Sequence, residues 1–169
     1  MKSVRTLITS LAALALVSCG YHLGGIKPAE LKDMNTFAVD VFDNETVYPN
    51  AGMLMTTAMA NSLQSDGTYR MAPRNEADFI VEGCVKRVQR ETVLTDSEDT
   101  YISKELGARV YVVYKVTNRK TGEVIFSGEE EEMANFFNQI GSSQSAQEAA
   151  LSYATRKIAD DITLILIAG

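Results

Sequence analysis

Three long segments in which apolar and polar side chains alternate, all lying between Ala77 and Phe137, restrict this chain more than any other feature. Alternation at period two marks a strand with one buried face and one wet face. In ADFIVEGCVKRVQRETVLT (77–95), Phe79, Val81, Gly83 and Val85 share one face, while Ile80, Glu82, Cys84, Lys86, Val88 and Arg90 share the other. In ARVYVVYKVT (108–117), Val110, Val112, Tyr114 and Val116 oppose Arg109, Tyr111, Val113 and Lys115. The third segment runs from Glu123 to about Phe137, with an interruption or bend expected near Gly128. The connections are polar: an acidic loop at 96–100 and a hairpin loop, Asn118 to Gly122, with glycine at its end. Most strands are about 5–6 residues long. The first segment is therefore one long strand or two joined at a bulge, with Gly83 a candidate site.

A sheet with one wet face needs cover on the other face only, and two segments have the pattern to supply it. Leu54, Met55, Ala58, Met59, Ser62 and Leu63 recur at helical spacing, predicting a helix from Ala51 to about Gln64. Asn50 is its expected N-cap, and Gly67 can take the left-handed conformation that ends it. Met53, Met55 and Met59 read as core packing. Near the end of the chain, Ser145-Ala146-Gln147-Glu148 matches a capping box. The helix it opens, Ala146 to about Ile167, carries a wide apolar stripe: Ala146, Ala149, Ala150, Tyr153, Ala154, Ile158, Ile162, Ile165 and Leu166. A further strand is expected at Thr36–Phe42, with Phe37, Val39 and Val41 on one face. Thr68–Met71 is a short extended segment before a turn at Ala72–Asn75. The order β-α-β-β-β-α predicts an α+β fold. Two helices pack on one face of a roughly four-stranded, mostly antiparallel sheet, as one domain over residues 36–169.

The N-terminal segment has a different character. Lys2 and Arg5 precede an apolar run, Leu7 to Val17, that holds no charged residue. The run is too short for a bilayer, which needs roughly 20 residues, and has the size and flanks of an export signal. It ends Leu16-Val17-Ser18-Cys19-Gly20, which resembles the bacterial lipobox. The resemblance implies cleavage after residue 18. It also implies that the Cys19 thiol carries diacylglycerol and an N-acyl chain, and that residues 19–35 form a short tether. One acyl chain gives only marginal anchoring, so two or three imply a permanent one. Gly20, where inner-membrane retention uses Asp, implies transfer to the outer membrane. Extended, the tether reaches at most roughly 60 Å, which keeps the domain near its membrane. With Cys19 so engaged, Cys84 is left as an unpaired, buried thiol in a strand.

Loss of Lys2 and Arg5 with the leader takes the formal charge from −6 to about −8. That disfavours general nucleic-acid binding and loose attachment to anionic lipid. Nothing in the chain has the pattern of a catalytic centre. The single histidine, His22, lies in the tether, and a second histidine or paired cysteines for zinc are missing. There is no G-x-S-x-G and no H-E-x-x-H. The glycine-rich 20–25 segment precedes a strand and so lacks the context of a phosphate loop. Glu129–Glu132 alternate between faces in a strand and read as a solvated sheet edge. No catalytic residue, metal ligand or cofactor is expected beyond the lipid on Cys19.

The mature start, Cys19-Gly20-Tyr21-His22-Leu23-Gly24-Gly25, resembles the opening of LptE-type (rare lipoprotein B-like) lipoproteins of lipopolysaccharide assembly. Softer matches follow in the family's order: the 36–42 strand, the helix around Met53–Leu63, the strand entry at Ala77–Gly83 and the closing helix. The resemblance implies two helices on a four-stranded sheet. It also implies a role as plug and assembly partner of the LptD β-barrel, on the periplasmic face of the outer membrane, with lipopolysaccharide as ligand. Contacts to lipid phosphates would fall to basic residues on strands or loops, here Lys86, Arg87, Arg90, Lys104 and Arg109. The same residues could instead balance Glu82, Glu91 and Glu105 across strands. The alternative function is an outer-membrane-anchored adaptor that activates a peptidoglycan synthase.

Overall fold

The computed structural model describes residues 27–93, 105–137 and 143–168, which form a sheet with two helices on one of its faces. The strands are β1 (Thr36–Val39), β2 (Asp43–Asn44), β3 (Arg70–Met71), β4 (Phe79–Val93), β5 (Glu105–Asn118) and β6 (Val124–Phe137). The helices are α1 (Ala51–Asp66) and α2 (Ser143–Ala168). The sheet order is β3-β1-β4-β5-β6, with β2 continuing beside β4.

The α+β reading holds, with two adjustments. There are six strands if the two-residue β2 and β3 are counted, and the sheet is mixed. β4, β5 and β6 form the expected antiparallel meander. β1 instead runs parallel to both β3 and β4. The reason is α1: a helix carries the chain back along the sheet, so the strand after it starts at the same end as the strand before it.

The core lies between the sheet and the helices. Phe37, Phe79, Val81, Val85, Val110, Val112 and Val116 meet Met55, Met59 and Leu63 of α1 and Ala154, Ile158, Ile162 and Leu166 of α2. β5 is read correctly residue by residue: Val110, Val112, Tyr114 and Val116 are buried and Lys115 is exposed. α1 ends at Gly67, whose φ of 80° is the left-handed stop. Its N-cap, Asn50, makes no side-chain capping bond. That side of the loop is organised by Asn44, whose Oδ1 accepts from Thr46 and whose amide donates to the Tyr48 carbonyl at 2.7 Å.

Two inserted residues change which side chains reach the core. Val39 pairs with Val81 and Asp43 with Cys84, so this side of the pairing holds one residue more than β4. The phase slips, and Phe42 is buried while Val41 is 67% exposed. The Phe42 backbone N–H donates to Thr56 Oγ1 of α1 at 2.9 Å, which pins the irregular turn to the helix. In β4 the extra residue is Lys86, between Val85↔Val112 and Arg87↔Tyr111. Beyond it, Val88 joins the core and Arg90 turns toward α2, the reverse of the face expected for both. The bulge sits where β2 ends and β4 loses its second neighbour, the sort of edge position that bulges favour.

Gly83 is not a bulge. A Cβ there would lie 2.5 Å from the Phe42 ring and 2.4 Å from the Val113 carbonyl oxygen. The glycine makes room for the ring. β6 likewise runs unbroken through Gly128, and its irregularity falls at Ile125, between the Val116↔Phe126 and Thr117↔Val124 pairs. α2 begins at Ser143, so Ser145 lies inside its first turn and not at the N-cap. Of the stripe expected on α2, Ala149 is exposed and Tyr153 is 52% exposed.

Candidate functional site

The face of the sheet away from the helices carries a ladder of cross-strand charges. Lys86 Nζ lies 2.6 Å from Glu45 Oε1, Lys115 Nζ 3.1 Å from Glu82 Oε1, and Arg109 Nη1 3.2 Å from Glu131 Oε1. Contact with Lys86 holds the Glu45 carboxyl below its ordinary range, and the same hydrogen bond raises the Lys86 ammonium. These groups are exposed or half-exposed, so solvent screens the pairs and they add little to stability. Cys84 lies under the ladder as a free, buried thiol. Burial, then the charge of Glu45, pushes its pKa up, which disfavours the thiolate.

Arg87 sits in the middle of this ladder and belongs to none of its pairs. Its guanidinium stacks over the Tyr111 ring at 4.2 Å. Arg90, thrown to the other face by the Lys86 bulge, donates to Gln147 Oε1 of α2. Gln147 is nearly buried, which fixes the guanidinium at the mouth of a cleft of about 460 Å³. Tyr48, Pro49, Leu54 and Leu151 give that cleft apolar walls. Two apolar side chains stand exposed next to those walls in the chain, Val47 at 88% and Met53 at 59%.

The five basic candidates therefore separate. Lys86 and Arg109 are held by carboxylates. Arg87 and Arg90 have no carboxylate partner among the described residues and keep donors for an external anion. They lie on opposite faces of β4, so the structure does not bring the set into one patch. Lys104 falls outside the described residues, as do Cys19, His22 and the rest of the export and tether segment to residue 26. The sequence pattern missed Tyr48, Leu54, Gln147 and Leu151. They come from a loop and two helices, and meet Arg90 only because of the bulge. Among the described residues, no group of three or more His, Cys, Asp or Glu side chains is arranged to hold a metal ion. No described helix is long and apolar enough to cross a membrane.

Solved structures with the same fold include a Xanthomonas campestris protein (TM-score 0.57, 11% identity, 79% of this chain and 83% of that one). A minor lipoprotein of Acinetobacter baumannii aligns at TM-score 0.51 and 12% identity, over 78% of this chain and 92% of that one. PelC of Paraburkholderia phytofirmans, solved as a dodecamer, aligns at 0.50 and 20% identity, over 85% and 95%. At these identities the likeness concerns the fold alone. No curated protein sequence is matched. The family model for lipopolysaccharide-assembly proteins, LptE, matches residues 34–164, most of the chain and nearly all of the described fold, and the chain belongs to that family.

Proposed function

We propose that the chain is an outer-membrane lipoprotein, processed after residue 18 and lipidated at Cys19. Its domain plugs and helps assemble an LptD-type β-barrel and handles lipopolysaccharide passing through it. It performs no reaction. The observation that carries the lipid part is the Arg90 cleft. An anchored guanidinium beside an apolar trough matches an amphiphile with a phosphate at one end and acyl chains at the other. Arg87, presented on the Tyr111 ring, offers a second phosphate contact on the open face. Family membership supports the barrel part. A plug must be wet and charged on surfaces that face a lumen, and the open face of the sheet has that character.

The test has two arms. A mild-detergent pulldown of the full chain from its native membrane should recover a β-barrel protein in stoichiometric amount. Recovery of a peptidoglycan synthase instead, or of no partner, overturns the plug. In the second arm, lipopolysaccharide binding to the full chain in detergent should fall at least tenfold in Arg90→Glu and weaken with added salt. Unchanged binding in that variant overturns the cleft assignment.

A further inference from the structure

We infer that the outer edge of β6 is a docking strand for an extended, basic segment of a partner protein, which adds to the sheet beside it. β6 is the last strand of the sheet, and its outer side pairs with no other strand among the described residues. From Phe126 to Phe137 its pairing with β5 is regular, and the stretch contains no proline and no lysine. The backbone groups that face away from β5 are therefore in register to template another strand.

Ala149 and Tyr153 belong to the apolar stripe of α2 yet remain exposed, Tyr153 at 52%. Between them and the edge runs a groove of about 600 Å³, lined by Glu132–Asn135 of β6 and by Ala146, Ala149, Ala150 and Tyr153 of α2. Its walls come from β6, the last strand, and from α2, so it runs beside the free edge of the sheet. Side chains on one face of an added strand would meet that stripe, as those of β5 and β6 meet the rest of α2.

The charge on the edge selects the occupant. Glu129 and Glu131 point to the open face, Glu130 and Glu132 to the helix side, opposite Val113, Tyr111, Val112 and Val110 in turn. Arg109 answers Glu131. Glu129, Glu130 and Glu132 have no basic partner among the described residues. A second β6 laid antiparallel on the first would face these carboxylates with their own copies, and like charges across strands repel. A segment with Lys or Arg on both faces opposite residues 129–132, and apolar residues opposite Ala134 and Tyr153, is complementary at every position. This assignment rests on the edge and its groove and is independent of the lipid-binding role.

The probe is a ten-residue synthetic peptide with four consecutive Lys or Arg residues, which place basic groups on both faces of an added strand, flanked by Val. Two controls accompany it: the same peptide with alternate amides N-methylated, and one with Glu in place of each basic residue. The full chain in mild detergent is followed by hydrogen–deuterium exchange and by titration at low salt. The basic peptide should slow exchange selectively in β6, and N-methylation should abolish binding. The double variant Glu129→Lys/Glu132→Lys, the first exposed and the second half-buried, should bind it at least tenfold more weakly while its circular dichroism shows the fold retained. Equal binding of the N-methylated peptide, protection elsewhere than β6, or binding of the acidic peptide overturns the inference. So does concentration-dependent self-association of the chain that itself protects β6, which would make a second copy the occupant.

Discussion

Replacing Gly83 by alanine tests the packing logic at the point where the two phase slips meet. The new methyl carbon would lie 2.5 Å from Phe42 Cε1 and 2.4 Å from the Val113 carbonyl oxygen, against 3.4–4 Å for ordinary contact. Neither neighbour can yield easily. Val113 is backbone in the central strand, and the Phe42 ring is 2% exposed. Behind it, the Phe42 carbonyl oxygen is closed off by α1, where a Cβ on Gly52 would approach to 2.3 Å. Overpacking a filled core costs about 1–3 kcal/mol, and two rigid contacts each short by about 1 Å place this substitution at the upper end, about 3 kcal/mol. For a domain of this size that lowers the thermal midpoint by roughly 6–12 °C.

The protein has no tryptophan, so far-UV circular dichroism in urea is the suitable readout. Phe42→Leu supplies the second corner of a double-mutant cycle. It removes the ring edge and leaves the Val113 contact, so Gly83→Ala should cost at least about 1 kcal/mol less in that background than in the parent. If Gly83→Ala costs under about 0.5 kcal/mol, or costs the same with and without the Phe42 ring, the glycine is not there to seat the ring and this account of the β1–β2 turn fails.

Three further predictions follow from polar groups. The Thr163 hydroxyl is buried without a hydrogen-bond partner among the described residues; Thr163→Val should raise stability by about 1 kcal/mol, seen as a higher urea midpoint. Asp78 Oδ2 accepts from the Asn35 and Thr36 backbone N–H groups and the Thr36 hydroxyl, and the Asn35 bond foremost holds its carboxyl below the ordinary range against burial. A lowered folded pKa gives stability that is present above the ordinary carboxylate pKa and lost as pH falls through the lowered value. Asp78→Asn should therefore cost about 1–2 kcal/mol at neutral pH and flatten the acid limb of a urea-midpoint profile. Glu130 has the opposite sign: burial first, then Asp161, raises its pKa. Its contribution is present below the ordinary value and lost as pH rises through the raised one, so Glu130→Gln should stabilise at neutral pH and make no difference near pH 4.

What the sequence discloses here depends on how many neighbours a strand has. β5 lies between β4 and β6 along its whole length, every position is constrained from both sides, and its alternation predicts burial residue by residue. β4 is flanked on both sides only as far as Val85, and its alternation fails at the next residue. A period-two pattern has no memory of an inserted residue, so one bulge exchanges the faces of everything beyond it. That exchange hid the candidate site: with Arg90 assigned to the open face, nothing connected it to Gln147, Leu54 or Tyr48, which lie far from it in the chain. The slip did leave a trace. Val88 is an apolar residue on what the pattern called the wet face, between Lys86 and Arg90, and Val41 and Phe42 are adjacent apolar residues where alternation demands a polar one. Both are what a strand looks like when its phase changes within it. Read that way, Val88 belongs with Val85 and Val110 in the core, the extra residue must fall between Val85 and Val88, and Arg90 is carried to the helix side.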